Sequence, residues 1–126
     1  MKNSRAKGAV GELELADILC KAGMLARRTV QYNGRMGAAD VVIEGTEIHV
    51  EVKRAEAFRL NEWIAQCERD CKGKPWVLII RQSRQPWMVI QSLDQWTRDS
   101  IEAGKAKAHR QAIIDHVEAA GEELQA

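Results

Sequence analysis

The chain has 126 residues and a mass of 14.2 kDa, which suits one domain and is too short for two ordinary ones. Hydrophobic residues make up 45% and charged residues 29%, which excludes a membrane protein and a low-complexity chain. The formal net charge of +1 argues against a strongly basic nucleic-acid coat. That sum hides an asymmetry, because residues 1–90 carry 15 Lys and Arg against 11 Asp and Glu, whereas residues 91–126 carry 4 against 7.

Cysteine usage and hydropathy predict the compartment. The cysteines (Cys20, Cys67 and Cys71) are odd in number and lack a disulfide-framework spacing. We expect no signal peptide after Met1, and no apolar run approaches the roughly 18 residues of a membrane span. The sequence therefore predicts a cytoplasmic protein without a membrane partner. Cys67 and Cys71 lie four residues apart on a predicted helix, where core packing is a better interpretation than zinc binding.

The first predicted elements are a helix and a strand. Asn3-Ser4 offers an N-cap for a helix from about residue 6 to 21, and Gly23 fits its C-cap. Residues 25–32 have the composition of a strand. The glycine-containing stretch 33–37 shows no periodicity, so we expect a loop there.

A pair of alternating segments, 40–44 and 47–53, is the most informative part of the chain. Gly45-Thr46 separates them, which predicts a β-hairpin with a two-residue turn. In that register the numbers of paired residues sum to 91, so Asp40 faces Glu51. One face of the hairpin is then wholly apolar, and a slip of one residue would mix the two faces.

The second half of the chain predicts a helix, two strands and a helical tail. Residues 57–72 have helical spacing, and the continuous apolar run 76–80 indicates a strand buried on both faces. Residues 87–90 predict a neighbouring strand. A capping box at 92–95 begins a last helix or helices over 93 to about 120.

These elements predict an α/β fold of order α-β-β-β-α-β-β around one mixed central sheet, with a C-terminal helical extension. We assign residues 1–91 to the core domain and residues 92–126 to a helical extension of the same domain. The extension has only a thin apolar stripe. It therefore docks on the domain, pairs with another chain or frays, and the sequence leaves these alternatives open.

The hairpin places two carboxylates and an ammonium group on one face. Directly opposite side chains such as Asp40 and Glu51 stand about 4.5–5.5 Å apart at Cβ and repel unless they share a cation or a proton. Carboxylates with open coordination positions suit Mg²⁺, which would lower the pKa of a bound water and stabilise charge on an attacked phosphate. Lys53 lies on the same face, where it would orient or deprotonate that water or neutralise the transition state.

Glu12 supports the same interpretation from the first helix. It lies at the edge of the apolar stripe, where an unpaired carboxylate is costly and a metal site would satisfy it. Gly8 and Gly11 flank it and would allow close approach of a sheet or a nucleic-acid backbone. Each charged residue alone is more often solvated surface, so the interpretation depends on their joint arrangement. His49, opposite Val42, is better interpreted as a sheet-surface histidine.

These residues resemble a known superfamily. Asp40 followed by Glu51-Val52-Lys53 resembles the PD-(D/E)XK nuclease signature, with Ala39 in place of the usual proline. Residues 4–15, in which basic residues and glycines precede Glu12, resemble the first motif of archaeal-type Holliday-junction resolvases. The resemblance implies the restriction-endonuclease-like fold.

Over roughly residues 4–90, the resemblance also implies a Mg²⁺-dependent endodeoxyribonuclease in which Mn²⁺ substitutes for Mg²⁺. By position, the catalytic residues would be Glu12, Asp40, Glu51 and Lys53, and the metal ligands would be Glu12, Asp40, Glu51 and the backbone carbonyl of Val52. The resolvases carry a serine between the first strand and the Asp. In this chain that role is unfilled or falls to Thr29, Gln31 or Asn33.

Cations lie close in sequence to the proposed site, as phosphate binding requires. The predicted DNA-contacting residues are Arg5, Lys7, Arg27, Arg28, Arg35, Arg54 and Arg59. Any one of them alone is better interpreted as a solubilising charge, and the case depends on the group. Gln66 lies where related nucleases sometimes place a supporting glutamine.

The leading hypothesis is a homodimeric endonuclease that cleaves four-way branched DNA. A second enzymatic hypothesis is a restriction-like or repair nuclease that acts on duplex or flapped DNA. The non-enzymatic alternative is a nuclease fold that only binds DNA. The complete set of Glu12, Asp40, Glu51 and Lys53 argues against that alternative.

Overall fold

The computed structural model describes residues 4–29 and 39–125, with side chains described from residue 8 onward. The predicted loop 33–37, including Arg35, lies outside these ranges. The described residues form three helices and five strands in the predicted order. They are α1 (Ser4–Lys21), β1 (Ala26–Arg28), β2 (Val41–Ile43), β3 (His49–Arg54), α2 (Leu60–Asp70), β4 (Trp76–Arg81), β5 (Met88–Ile90) and α3 (Leu93–Gln125).

The end of α1 confirms the predicted C-cap. Gly23 has a φ of +103°, a left-handed conformation that glycine adopts without steric cost. Its N–H donates to the carbonyl of Cys20, and the N–H of Met24 donates to that of Leu19, so the last carbonyls of the helix are satisfied. The chain then turns directly into β1.

One five-stranded sheet forms the centre of the molecule, with its strands in the order β1-β2-β3-β4-β5. β3 and β4 pair in parallel, and the other neighbours pair antiparallel. A parallel pair requires a crossover connection, which α2 supplies. The predicted mixed sheet is therefore confirmed.

The hairpin register is confirmed, but the predicted turn is wrong. Val41 pairs with Val50, whose numbers sum to 91. The turn, however, comprises Ile43 to Thr46, because the N–H of Thr46 donates to the carbonyl of Ile43 over 3.2 Å. Gly45 has a φ of +83° and occupies the third position of this turn, where a left-handed residue is required. The predicted turn at Gly45-Thr46 is therefore shifted by one residue.

Apolar side chains cover both faces of the sheet. The cluster on the α1 side contains Leu15, Val41, Val50, Val52 and Ile79. The cluster on the α2 side contains Cys67, Leu78 and Ile80. The prediction that β4 is buried on both faces is confirmed, because Leu78 and Ile79 are 0% and 6% exposed and point to opposite sides.

The chain divides into two compact units, one up to Gln91 and one from Ser92 onward. The second unit is a single continuous helix, α3, in which no residue is buried. Ser92 caps it, because its Oγ accepts the N–H of Gln95 over 3.1 Å. The reciprocal half of the predicted capping box is wrong, since the Gln95 side chain donates to Asp99 instead. None of the described helices is long and apolar enough to cross a membrane.

Candidate active site

Asp40 lies immediately before β2 and joins it to β3 in two ways. Its backbone N–H donates to the carbonyl of Val50 over 2.9 Å. Its side-chain Oδ2 accepts the backbone N–H of Val52, also over 2.9 Å. A carboxylate thus takes the place that a backbone carbonyl would occupy in a continued ladder. This arrangement fixes the Asp40 carboxylate against the strand that carries Glu51.

Thr29 holds the backbone on the other side of Asp40. Its hydroxyl donates to the carbonyl of Ala39 and lies 3.2 Å from that of Asp40. Its N–H donates to the Asp40 carbonyl over 3.1 Å. These contacts suit a residue that positions Asp40, and the supporting role of Thr29 stays a prediction. Gln31 and Asn33, the other candidates for that role, lie outside the described residues.

Glu51 is buried and bonded to a histidine. The Glu51 side chain is 3% exposed, and its Oε1 lies 2.8 Å from Nε2 of His49, whose side chain is 7% exposed. The interpretation of His49 as a surface residue was wrong, because this face of the sheet lies against α2 and the buried Cys67. A sequence signal existed. β4 was predicted to be buried on both faces, and its neighbour in a sheet has both faces covered as well.

The electrostatics around Asp40 are unfavourable for three negative charges. Burial and the nearby Glu51 carboxylate raise the pKa of Asp40 to about 7, and Glu12 adds to the same effect. The hydrogen bond from Val52 N–H acts in the opposite direction by stabilising the carboxylate. Two other carboxylates are therefore close enough to act on the pKa of Asp40, and clustered carboxylates are typical of a cation site.

Glu12 approaches this group from α1 but is bonded elsewhere. Its Oε2 accepts a hydrogen bond from Nε of Arg28 over 2.6 Å, and its side chain is 17% exposed. Arg28 lies on β1, so this ion pair ties the first helix to the edge of the sheet. A guanidinium predicted to contact DNA is thereby bonded to a predicted metal ligand.

The described carboxylates near Asp40 are the right type of ligand for a divalent cation, but they are not arranged as a complete metal site. Carboxylate oxygens are preferred ligands of Mg²⁺, and a cation would offset both the burial and the Glu51 charge that raise the pKa of Asp40. Within residues 4–29 and 39–125, however, no three Asp, Glu, His or Cys side chains are arranged as a metal site. Asp40 and Glu51 come together as predicted, whereas Glu12 is paired with Arg28.

Lys53 and Cys67 share the α2 side of the sheet with Glu51. Burial and the Glu51 carboxylate raise the pKa of the Cys67 thiol to about 12, while the Lys53 ammonium acts in the opposite direction. The thiol is therefore protonated and belongs to the core, as predicted. The Lys53 ammonium is therefore close enough to this thiol to act on its pKa, and it lies on the same strand as Glu51.

The predicted DNA-contacting cations with described side chains all pair with carboxylates of this chain. The pairs are Arg27–Glu44 at 2.9 Å, Arg28–Glu12 at 2.6 Å, Arg54–Glu14 at 3.3 Å and Arg59–Glu62 at 3.7 Å. The ion pairs of Arg27 and Arg59 are exposed and contribute little free energy, so these arginines could bind a DNA phosphate in place of the carboxylate. Arg5 and Lys7 belong to the first turns of α1, and nothing is described of their side chains. Gln66, a predicted supporting residue, is half-buried on α2.

Sequence reasoning missed a second charge network, which is partly buried. Glu14 bonds both Arg54 and Arg81, and the Arg81 guanidinium lies 5.8 Å from the ring centroid of Trp87. The network ties α1 to the ends of β3 and β4. Gly11 lies beside it, where an added Cβ would be 3.5 Å from Cβ of Arg54. That is an ordinary contact, so close packing does not require glycine there.

Gly8 was predicted to allow close approach of a sheet or a nucleic-acid backbone. Among the described atoms of this chain, nothing lies within 4 Å of a Cβ added at Gly8. The expected approach of the sheet at this position is therefore wrong. Approach of a nucleic acid stays a prediction.

The mixed sheet, the flanking helices and the Asp40–Glu51 pair together define the PD-(D/E)XK endonuclease class. The family model described as "Phage putative PDDEXK endonuclease" matches residues 3–124, and the chain belongs to that family. Among solved structures, the chain is similar to Hjc, a Holliday junction resolvase from Archaeoglobus fulgidus, with 23% identity and a TM-score of 0.53. The match covers 68% of this chain and 72% of that chain. No curated protein matches the chain.

These comparisons confirm the predicted superfamily and the restriction-endonuclease-like fold. They also confirm the coarser part of the functional prediction, namely an endonuclease. The roles of the individual site residues stay predictions.

Proposed function

We propose that this protein is a Mg²⁺-dependent endonuclease that cleaves four-way branched DNA as a homodimer, with Mn²⁺ as an effective substitute. The observation that carries the proposal is the Asp40–Glu51 carboxylate pair. It lies on the PD-(D/E)XK positions and has a pKa of about 7 at Asp40. Two neighbouring buried carboxylates are unfavourable unless they share a proton or a cation, and such groups cluster at functional sites. A bound cation would neutralise the two carboxylates, so their burial together favours cation binding.

Each residue of the set has a distinct proposed role. Asp40 and Glu51 would hold the cation through carboxylate oxygens, with the backbone carbonyl of Val52 and the carboxylate of Glu12 as further ligands. When bound, the cation would supply a water of lowered pKa and positive charge at the attacked phosphate. The Lys53 ammonium would orient that water and stabilise the charge that develops on the phosphate oxygens.

Glu12 would change partner when the site is loaded. In the described structure it is bonded to Arg28 at 2.6 Å. A cation at Asp40 would compete for the same carboxylate, and the freed guanidinium would then be available for a DNA phosphate. The Glu12–Arg28 pair thus couples metal binding to phosphate binding in the proposed mechanism.

The proposed preference for branched DNA is supported by the similarity to the resolvase Hjc. That similarity is one of fold and does not extend to DNA specificity. The family description names an endonuclease without a DNA structure. A nuclease that acts on duplex or flapped DNA is therefore the second candidate. A fold that only binds DNA is the third, and the retained catalytic set argues against it.

The test is a cleavage assay in Mg²⁺ that compares two labelled substrates, a four-way junction and a linear duplex with the same sequence as the junction arms. We expect paired nicks in the junction that are lost in Asp40→Asn and Glu51→Gln. Glu47→Gln is the matched control, because this carboxylate lies near the same hairpin and its side chain is 73% exposed. Binding without cleavage in both Mg²⁺ and Mn²⁺ would overturn the enzymatic proposal. Faster cleavage of the duplex would select the second candidate.

A further inference from the structure

We propose that α3 is the surface through which two copies of this chain pair, with residues 103–124 of the two copies antiparallel. The inference rests on the homodimer of the proposed function and not on its nuclease activity. It follows from three properties of the helix: its apolar stripe, the order of large and small residues along that stripe, and the separation of charges along its length.

The first property is an apolar stripe that the helix cannot bury by itself. α3 has 33 residues and none of them is buried. Ile113, Ile114, Val117 and Leu124 are 51%, 48%, 63% and 89% exposed. In proteins most helical stability comes from packing of an apolar face rather than from propensity. A helix of this length with such a stripe therefore needs an apolar partner.

The stripe follows the spacing of a coiled-coil seam. Residues on it are separated alternately by three and four positions, which keeps them on one side of a supercoiled helix. The seam comprises Ala103, Ala106, Ile113, Val117, Ala120 and Leu124, with Arg110 as a charged residue between Ala106 and Ile113. Such a seam fits another helix with the same spacing, and a second copy of α3 provides one.

Side-chain size along the seam favours antiparallel pairing. The first part of the seam carries small residues, Ala103 and Ala106, and the last part ends in the large Leu124. An antiparallel pair places the large end of one helix against the small part of the other, at both ends of the contact. A parallel pair in register would place alanine against alanine and leave a gap there.

Charge along the helix favours the same orientation. Residues 105–110 contain Lys105, Lys107 and Arg110 and no acid, whereas residues 115–123 contain Asp115, Glu118, Glu122 and Glu123 and no Lys or Arg. All of these residues are exposed. An antiparallel pair centred near residue 114 places the basic segment of each copy against the acidic segment of the other. A parallel pair would oppose like charges in both segments, which is destabilising.

The charge complementarity is internal to one sequence, which is why a second copy is the proposed occupant. A different protein or the chain's own first unit would need an apolar groove with its own matching charges. DNA would contact the basic segment but would leave the aliphatic part of the seam uncovered and would be repelled by the acidic segment. Self-pairing satisfies the apolar stripe and both charged segments together.

The first test measures self-association of the full chain by sedimentation at concentrations up to about 100 μM. We expect a dimer that weakens by about tenfold or more in the basic-to-acidic variant (Lys105→Glu, Lys107→Glu and Arg110→Glu). The acidic-to-basic variant (Glu118→Lys, Glu122→Lys and Glu123→Lys) should weaken it similarly. Mixing the two variants, or combining all six changes in one chain, should restore pairing. Helix content by circular dichroism shows that each variant is folded.

The second test fixes the orientation by cross-linking. In a Cys20→Ser background, Ala106→Cys and Leu124→Cys are prepared as separate proteins, because Cys67 and Cys71 are buried. An antiparallel pair forms the disulfide only when the two proteins are mixed. Disulfides within each separate variant would overturn the orientation. A wild-type chain that stays monomeric, or a dimer that survives both charge reversals, would overturn the proposal. The cleavage assay is scored separately, so failure of the nuclease proposal is distinguishable.

Discussion

β3 buries both of its faces, and the two faces differ in chemistry rather than in exposure. Val50, on the α1 side, is 0% exposed, and Glu51 and His49, on the α2 side, are 3% and 7% exposed. Aliphatic burial is favourable by about 25 cal/mol per Å². Burial of a carboxylate is unfavourable unless it is paired and hydrogen-bonded. Low exposure alone therefore does not distinguish a core residue from a residue of the candidate active site. The chemical type of the buried side chain distinguishes them.

The comparison predicts opposite consequences for substitutions on the two faces. Changes on the α1 side should lower the free energy of unfolding and spare the chemistry. Changes of the β3 residues on the α2 side should impair metal binding or cleavage and leave stability nearly unchanged or improved. Four measurements test this division.

Lys53→Met should have the largest effect, a loss of about 100-fold or more in the cleavage rate, because the ammonium would stabilise charge in the transition state. Metal affinity, measured by calorimetry, should change little, because Lys53 is not a proposed ligand. Lys74→Met is the matched control, since Lys74 pairs with the exposed Glu47 at 2.9 Å. Equal losses in both variants would remove Lys53 from the mechanism.

Val50→Ala should lower the free energy of unfolding by about 2 kcal/mol, because it removes buried methyl groups and leaves a cavity. Urea denaturation measures the change. Cleavage assayed well below the melting temperature should stay close to wild type. A variant that keeps its stability but loses cleavage would break the division between the two faces.

His49→Leu should weaken Mn²⁺ or Mg²⁺ binding by about tenfold, because the 2.8 Å contact with Glu51 orients a proposed ligand. His49→Gln retains a hydrogen-bonding group and should recover part of that affinity. Calorimetric titration with the metal alone separates this effect from catalysis. If both variants bind metal like wild type, His49 serves packing and not the orientation of Glu51.

Asp40 should make the stability of the metal-free protein depend on pH. Burial and the neighbouring Glu51 carboxylate raise its pKa in the folded protein to about 7, well above the ordinary value of an aspartate. The protonated Asp40 carboxyl therefore contributes stability to the folded protein. This contribution is fully present below the pKa of the unfolded state and is lost as pH rises through about 7. The melting temperature in chelator should fall over that window, and Mg²⁺ should restore it at the upper end.

Asp40→Asn should remove this part of the pH dependence, because the amide oxygen still accepts the Val52 N–H and carries no charge. Its melting temperature near pH 8 should exceed that of wild type by several degrees. Glu47→Gln should show the wild-type profile. A melting temperature that is flat between pH 4 and 8 in the wild type would contradict the assigned pKa.

Features that depend on local sequence patterns could be predicted, whereas contacts between residues distant in sequence could not. Alternation and the sum of paired numbers placed Asp40 opposite Glu51, because register is strongly constrained when one face is apolar. The contact of Glu14 with Arg81 joins residues 67 positions apart, and no periodicity reports it. The burial of His49 depended on which side α2 covers, which is a property of the whole sheet.

The hydrogen bond from the Val52 amide to Asp40 Oδ2 has a spectroscopic consequence. One backbone proton in the middle of a strand depends for its protection on a titratable side chain rather than on a neighbouring strand. Its solvent-exchange rate and chemical shift therefore follow the protonation and loading of the carboxylate. A single amide resonance would then report the state of the site in solution, without substrate and without turnover.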